Sequence, residues 1–126
     1  MFERKERYVL TVEKEHFDAI CQCLMRLYNR LIAQKSMFTA QDVNQLHTAM
    51  LCSPHENGVH VVTLNNVEER NFILNAVTEK YIAAKDENKR EELNLLAVLY
   101  KRVMECPTQH QYHKQQRGAA QRAGVR

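Results

Sequence analysis

Residues 13–34 read EKEHFDAICQCLMRLYNRLIAQ. From Phe17 the apolar side chains recur at positions 17, 20, 21, 24, 27, 28, 31 and 32. That is the i, i+3, i+4, i+7 pattern of an amphipathic α-helix. At 3.6 residues per turn these positions form one stripe, which another layer must cover. The stretch predicts a helix from about Glu13 to Gln34.

Upstream, Arg7 to Val12 (RYVLTV) is rich in β-branched and aromatic residues and reads as a short strand. Downstream, Phe38-Thr39-Ala40-Gln41-Asp42-Val43 reads as a second helix start. Thr39 is the expected cap there, Asp42 the reciprocal acid, and Phe38 a staple onto Val43. This helix presents Val43, Leu46 and Met50 and ends at Ser53-Pro54. The segment Ser53-Pro54-His55-Glu56-Asn57-Gly58 is the strongest turn signal in the chain.

Val59 to Leu64 (VHVVTL) reads as a second strand. Asn66-Val67-Glu68-Glu69 caps a third helix that runs to about Lys85, with Ile73, Val77 and Tyr81 on one face. Asp86 to Asn88 breaks it, and Asn88 with Glu91 offers another capping box. The fourth helix, to about Glu105, is apolar nearly all round, through Leu93, Leu95, Leu96, Val98, Leu99, Tyr100, Val103 and Met104. A helix of that kind is central in a core or partly buried in a partner.

The expected fold is therefore α+β and mainly helical, with two short strands and four helices in two β-α-α units. At an offset near 52, Val9 and Thr11 fall on Val61 and Thr63, which suggests a pseudo-twofold repeat. Helical hairpins also look alike for generic reasons. Two strands make a marginal sheet, so homodimerisation is a modest expectation.

The chain has 126 residues, 44% apolar and 26% charged, which fits one globular domain. Three glycines and two prolines argue against a turn-rich β-sandwich. No apolar run approaches membrane-spanning length. Met1-Phe2-Glu3-Arg4-Lys5-Glu6 has no signal-peptide pattern, so a cytoplasmic protein without membrane contact is expected. The net charge of +3 is unevenly placed. Residues 1–105 hold 14 bases and all 15 acids, whereas residues 106–126 hold Lys114, Arg117, Arg122 and Arg126 and no acid. The composition shifts at Pro107, so residues 1–106 read as the domain and 107–126 as a flexible basic tail.

Most chemistries find no pattern. There is no glycine-rich phosphate loop, and neither Ser36 nor Ser53 sits in a nucleophile elbow. The acid pairs Glu68-Glu69, Asp86-Glu87 and Glu91-Glu92 lie at or near expected helix starts, where the helix dipole accounts for them. Cys21 and Cys23 point about 200° apart on one helix and cannot chelate together. Cys106, His110 and His113, with Cys52 or His55, have ligand chemistry for zinc, but no paired C-x2-C knuckle supports a site. No cofactor and no enzymatic activity are expected.

Binding is the remaining class. The fourth helix offers more apolar surface than a small core hides, so Leu95, Leu99, Tyr100 and Val103 are candidate interface residues for a protein partner or a second copy. Arg26 and Arg30 on the first helix, with Lys101 and Arg102 on the fourth, are candidate contacts to a partner or to phosphates. In outline the chain resembles small accessory proteins of phages and mobile elements, in which a short strand leads into a long helix. That resemblance implies a protein that binds and modulates or inhibits a larger machine, and it carries no site residues. The alternative is a nucleic-acid-binding accessory protein using those four bases and the tail. Its pI near 8.7 is below the value of about 9 typical of such domains.

Overall fold

The structure is a computed structural model that describes residues 6–124, with the side chains of residues 6–118. The reading of residues 1–5 and the charge of Arg126 lie outside the described residues, as does the side chain of Arg122.

The chain runs β1 (Tyr8–Glu13), α1 (Lys14–Ala33), α2 (Met37–Leu51), β2 (His55–Glu56), β3 (Val59–Leu64), α3 (Val67–Asp86), α4 (Arg90–Met104) and α5 (Gln109–Gly124). It is mainly helical, with a small antiparallel sheet in the order β1-β3-β2. The described residues hold three strands and five helices, where two and four were expected. The fifth helix is built from the segment read as a tail. The chain is thus not two β-α-α units alone, and this arrangement does not establish an internal repeat.

The extra strand follows from the turn. Asn57 and Gly58 both take positive φ, 55° and 77°. Two such residues between paired strands make the tight hairpin turn for which Asn-Gly is the favoured sequence. It folds His55 and Glu56 back onto His60 and Val59. On the other edge of the sheet, Val9 N–H donates to the Pro107 carbonyl at 2.9 Å and Gln109 N–H to the Arg7 carbonyl at 2.8 Å. These bonds, with a bridge between Tyr8 and Thr108, lock the start of α5 onto β1.

In the β1–β3 pairing Leu10 stands opposite Val62 and Tyr8 opposite Leu64. The alternation of a strand puts Leu10, Val12, Val62 and Leu64 on the face that meets the helices, and all four are buried. α1 packs between α2 and α3, and α3 carries α4 on its other side. The stripe on α1 is buried as its spacing requires, at Phe17, Ile20, Cys21, Leu24, Leu27 and Leu31. Val43, Met50, Ile73, Val77, Leu99 and Val103 complete the fully enclosed core.

Helix ends differ from the sequence reading in two places. α2 is capped at Ser36, so Thr39 lies inside it and Phe38 is 88% exposed, with no staple onto Val43. Asn88, at φ 58°, closes α3, with Asn88 N–H bonded to the Lys85 carbonyl and Lys89 N–H to the Ala84 carbonyl. This is a Schellman end, in which asparagine can take the left-handed position, and Lys89 takes the cap position of α4. Lys35 closes α1 in the same way at φ 61°. Asn66 caps α3 as expected, accepting from Glu69 N–H at 2.9 Å.

Candidate protein-interaction surface

α3 and α4 are joined by the short turn 87–89 and pack side by side. Each buries one face. From α3 these are Ile73, Ala76 and Val77, and from α4 Leu96, Leu99 and Val103. A 3.6-residue repeat then sends Tyr81 and Ile82 of α3, and Val98, Tyr100 and Met104 of α4, outward. They are 37%, 55%, 48%, 42% and 46% exposed, a concentration of large apolar side chains on one helical hairpin. Between the helices runs a groove of about 280 Å³ lined by Val77, Thr78, Tyr81, Leu96, Ala97 and Tyr100.

The expected interface residues divide across this hairpin. Tyr100 lines the groove, and Leu95 is half-buried against the core. Leu99 and Val103 are fully enclosed within the chain and present nothing to a partner. An all-round apolar helix does not reveal which face its own core takes, which is why sequence reasoning grouped the four. It also placed Tyr81 on the inner face and missed Ile82, Val98 and Met104 as surface residues. The one available signal was that α3 and α4 both carry more apolar positions than a single buried face uses.

The four bases fall on two surfaces. Arg30 forms an ion pair with Glu79 of α3, and its Nη1 donates to Gln34 Oε1 at 2.7 Å. Arg26 lies on a shallow surface with Met25, His47 and Lys80, the last of these paired with Glu92 at 3.3 Å. Arg102 lines a different groove, with Thr11 of β1 and Tyr112, Gln115 and Gln116 of α5, and stands 3.9 Å from Glu13. Lys101 is exposed beside it in sequence. Arg30 is therefore engaged within the fold, and the two pairs do not share a groove.

Burial makes Cys21, Cys23 and Cys106 poor nucleophiles and poor ligands. All four cysteines are free. Burial pushes Cys21 and Cys23 up to about 11, and burial also raises Cys106 against the opposing charge of Arg70. A thiol must lose its proton to bind a metal or attack a carbon. Among the described residues no three His, Cys, Asp or Glu side chains gather in a way that holds a metal ion. His55 stands against His60, with ring centroids 5.2 Å apart, and His60 stacks on Phe17 at 3.8 Å. Glu68, Glu69, Glu91 and Glu92 occupy first turns of helices, whereas Asp86 ends α3 and Glu87 follows it, paired with Lys89 at 2.7 Å. No helix among the described residues is long and apolar enough to cross a membrane.

Comparison of the chain with family models, with curated proteins and with solved structures finds no match.

Proposed function

We propose that this protein is a non-enzymatic interaction module that regulates or inhibits a larger macromolecular partner, and that the outer face of the α3–α4 hairpin is the surface that does so. The observation carrying this reading is the apolar groove between α3 and α4 with half-exposed Tyr81 and Tyr100 on its walls, on a hairpin that also exposes Ile82 and Met104. Leaving that much apolar surface in water costs roughly 25 cal/mol per Å², a cost that docking removes. Aromatic and methionine side chains are also those enriched at interface centres. The test compares proteins captured from host extract by the wild type, by Ala97→Glu/Tyr100→Glu, and by the α2 surface control Gln45→Glu. A partner lost only with the groove variant supports the reading, and capture indifferent to that variant refutes it.

A second reading, an accessory role on nucleic acid, is favoured by α5. This helix holds no acid and carries Lys114, Arg117 and Arg122. It adjoins the end of α4, where Arg102 faces Gln115 and Gln116 across a groove. Binding of a nonspecific duplex that falls steeply with salt and weakens in Lys114→Ala/Arg117→Ala would establish it. No binding at low salt removes it.

A further inference from the structure

The outward face of α3 carries Glu68, Asn71, Asn75, Thr78, Ile82 and Lys85, all exposed. Their spacing alternates three and four residues, so they form one stripe along the helix whose positions can be lettered a and d as in a heptad, with Ile82 its single apolar member. The pattern reads the same from either end about a midpoint between residues 76 and 77. Its single acid stands at the N-terminal end and its single base at the C-terminal end. The four positions between are uncharged, so no like charges meet along the middle of the stripe. Thr78, near the midpoint, lines two grooves at once, the α3–α4 groove and one of about 310 Å³ floored by Leu27, Leu31 and Phe72.

We propose that this seam docks a second copy of the chain, α3 against α3, antiparallel about a two-fold axis. The proposal rests on the reading of this side of the molecule as an interface and names its occupant. In an antiparallel pair each a position meets a d position. Glu68 of each copy then meets Lys85 of the other, Asn71 meets Ile82, and Asn75 meets Thr78. The two end contacts are opposite in charge, whereas a parallel pairing would set acid on acid and base on base. At the centre the Asn75 side-chain amide donates to the Thr78 hydroxyl oxygen of the second copy, whose own proton goes to the Leu74 carbonyl of its helix at 2.8 Å. The crossing angle follows as well. A 3-4 seam packs at about 20°, which leaves the end residues, about 13 Å from the axis, offset sideways by about 5 Å. Glutamate and lysine span that offset. At the steeper angle of about 50° it grows to about 11 Å and the pairs are lost. The same two-fold axis places both α3–α4 grooves on one side of the dimer.

A single helix-on-helix contact falls short of the ~800 Å² per partner of a tight complex, so the dimer is weak and concentration-dependent. Sedimentation velocity of the whole chain from about 10 μM to about 1 mM at low salt reads it. Glu68→Lys and Lys85→Glu should each weaken association about fivefold, because two symmetric pairs turn repulsive. The double variant Glu68→Lys/Lys85→Glu should restore it to within about threefold. Both swapped charges oppose the α3 dipole, so thermal stability falls in the same variant that regains assembly. A folding defect cannot produce that combination. Thr78→Arg should abolish the dimer while helical circular dichroism is retained. A chain that is monomeric throughout overturns the proposal, as does a dimer indifferent to Thr78→Arg or a double variant that fails to recover. A monomer that still captures a partner through Tyr100 overturns the dimer alone and leaves the interaction reading standing.

Discussion

Leu99 and Tyr100 are neighbours in sequence whose side chains point about 100° apart on α4, and truncating each to alanine separates core from surface. Leu99 has no solvent exposure, while Tyr100 is 42% exposed at the groove edge. Leu99→Ala removes three buried carbons, about 2.4 kcal/mol at ~0.8 kcal/mol per methylene. The cavity left under α3 and α4 raises this to about 3–4 kcal/mol, because the surrounding core closes only in part. Small domains have a total stability of about 5–15 kcal/mol, so the variant should stay folded but lose a large share. At roughly 4–6 °C per kcal/mol, Tm should fall by about 12–24 °C. Tyr100→Ala gives up only its groove contacts and should cost about 1 kcal/mol or less. Urea unfolding followed by circular dichroism at 222 nm, with equal slopes confirming two-state behaviour, measures both. A Leu99→Ala loss below about 1 kcal/mol, or a Tyr100→Ala loss larger than it, would refute the assignment of the two faces.

Other consequences are as specific. Asn66→Ala should cost about 1 kcal/mol, since the side-chain oxygen that caps Glu69 N–H is lost, and the same urea assay reads it. Gly58→Ala should cost about 1 kcal/mol although open space surrounds the position, because the penalty lies in φ +77° and not in packing. Lys35→Gly, at φ 61°, should stabilise the α1 end by about 0.5 kcal/mol. Thiol labelling should modify exposed Cys52 first and reach Cys21 and Cys23 only on unfolding. The raised folded values of Cys21 and Cys23, about 11 against 9.0, give stability that is fully present below pH 9. That contribution is lost as pH rises from 9 through 11, so Tm should decline across this window and Cys21→Ala/Cys23→Ala should flatten the decline.

How legible the fold is depends on the kind of signal each element carries. α1 is readable because its apolar spacing leaves one period only, and Phe17, Ile20, Cys21, Leu24, Leu27 and Leu31 are buried along that stripe, whereas Cys23 is buried although it lies off it. β1 and β3 are readable for their β-branched residues. β2 escaped because two residues make no periodic pattern, although Asn57-Gly58 is itself a hairpin signature and Glu56 and Val59 flank it. α5 escaped for another reason. Its composition cannot support a core, and it is held by backbone bonds from Val9 and Gln109, which composition does not report. Asn88 shows that a capping residue type does not say which helix end it serves, since asparagine is a preferred N-cap and also takes the left-handed position of a Schellman end. Of the residues read as a partner surface, Tyr100 is exposed, but nothing in the sequence separated it from Leu99 and Val103, which are enclosed. That distinction is made by the angle at which α4 leans on α3, a tertiary fact.

A photo-crosslinking amino acid placed at Tyr100, with a matched placement at Gln45 on the exposed side of α2, tests the central claim most directly. Illumination in host extract should give discrete adducts of defined mass from position 100 and none of the same mass from position 45. Adducts that are equal at both positions, or absent from position 100, would contradict the assignment of the α3–α4 face as the working surface of this protein.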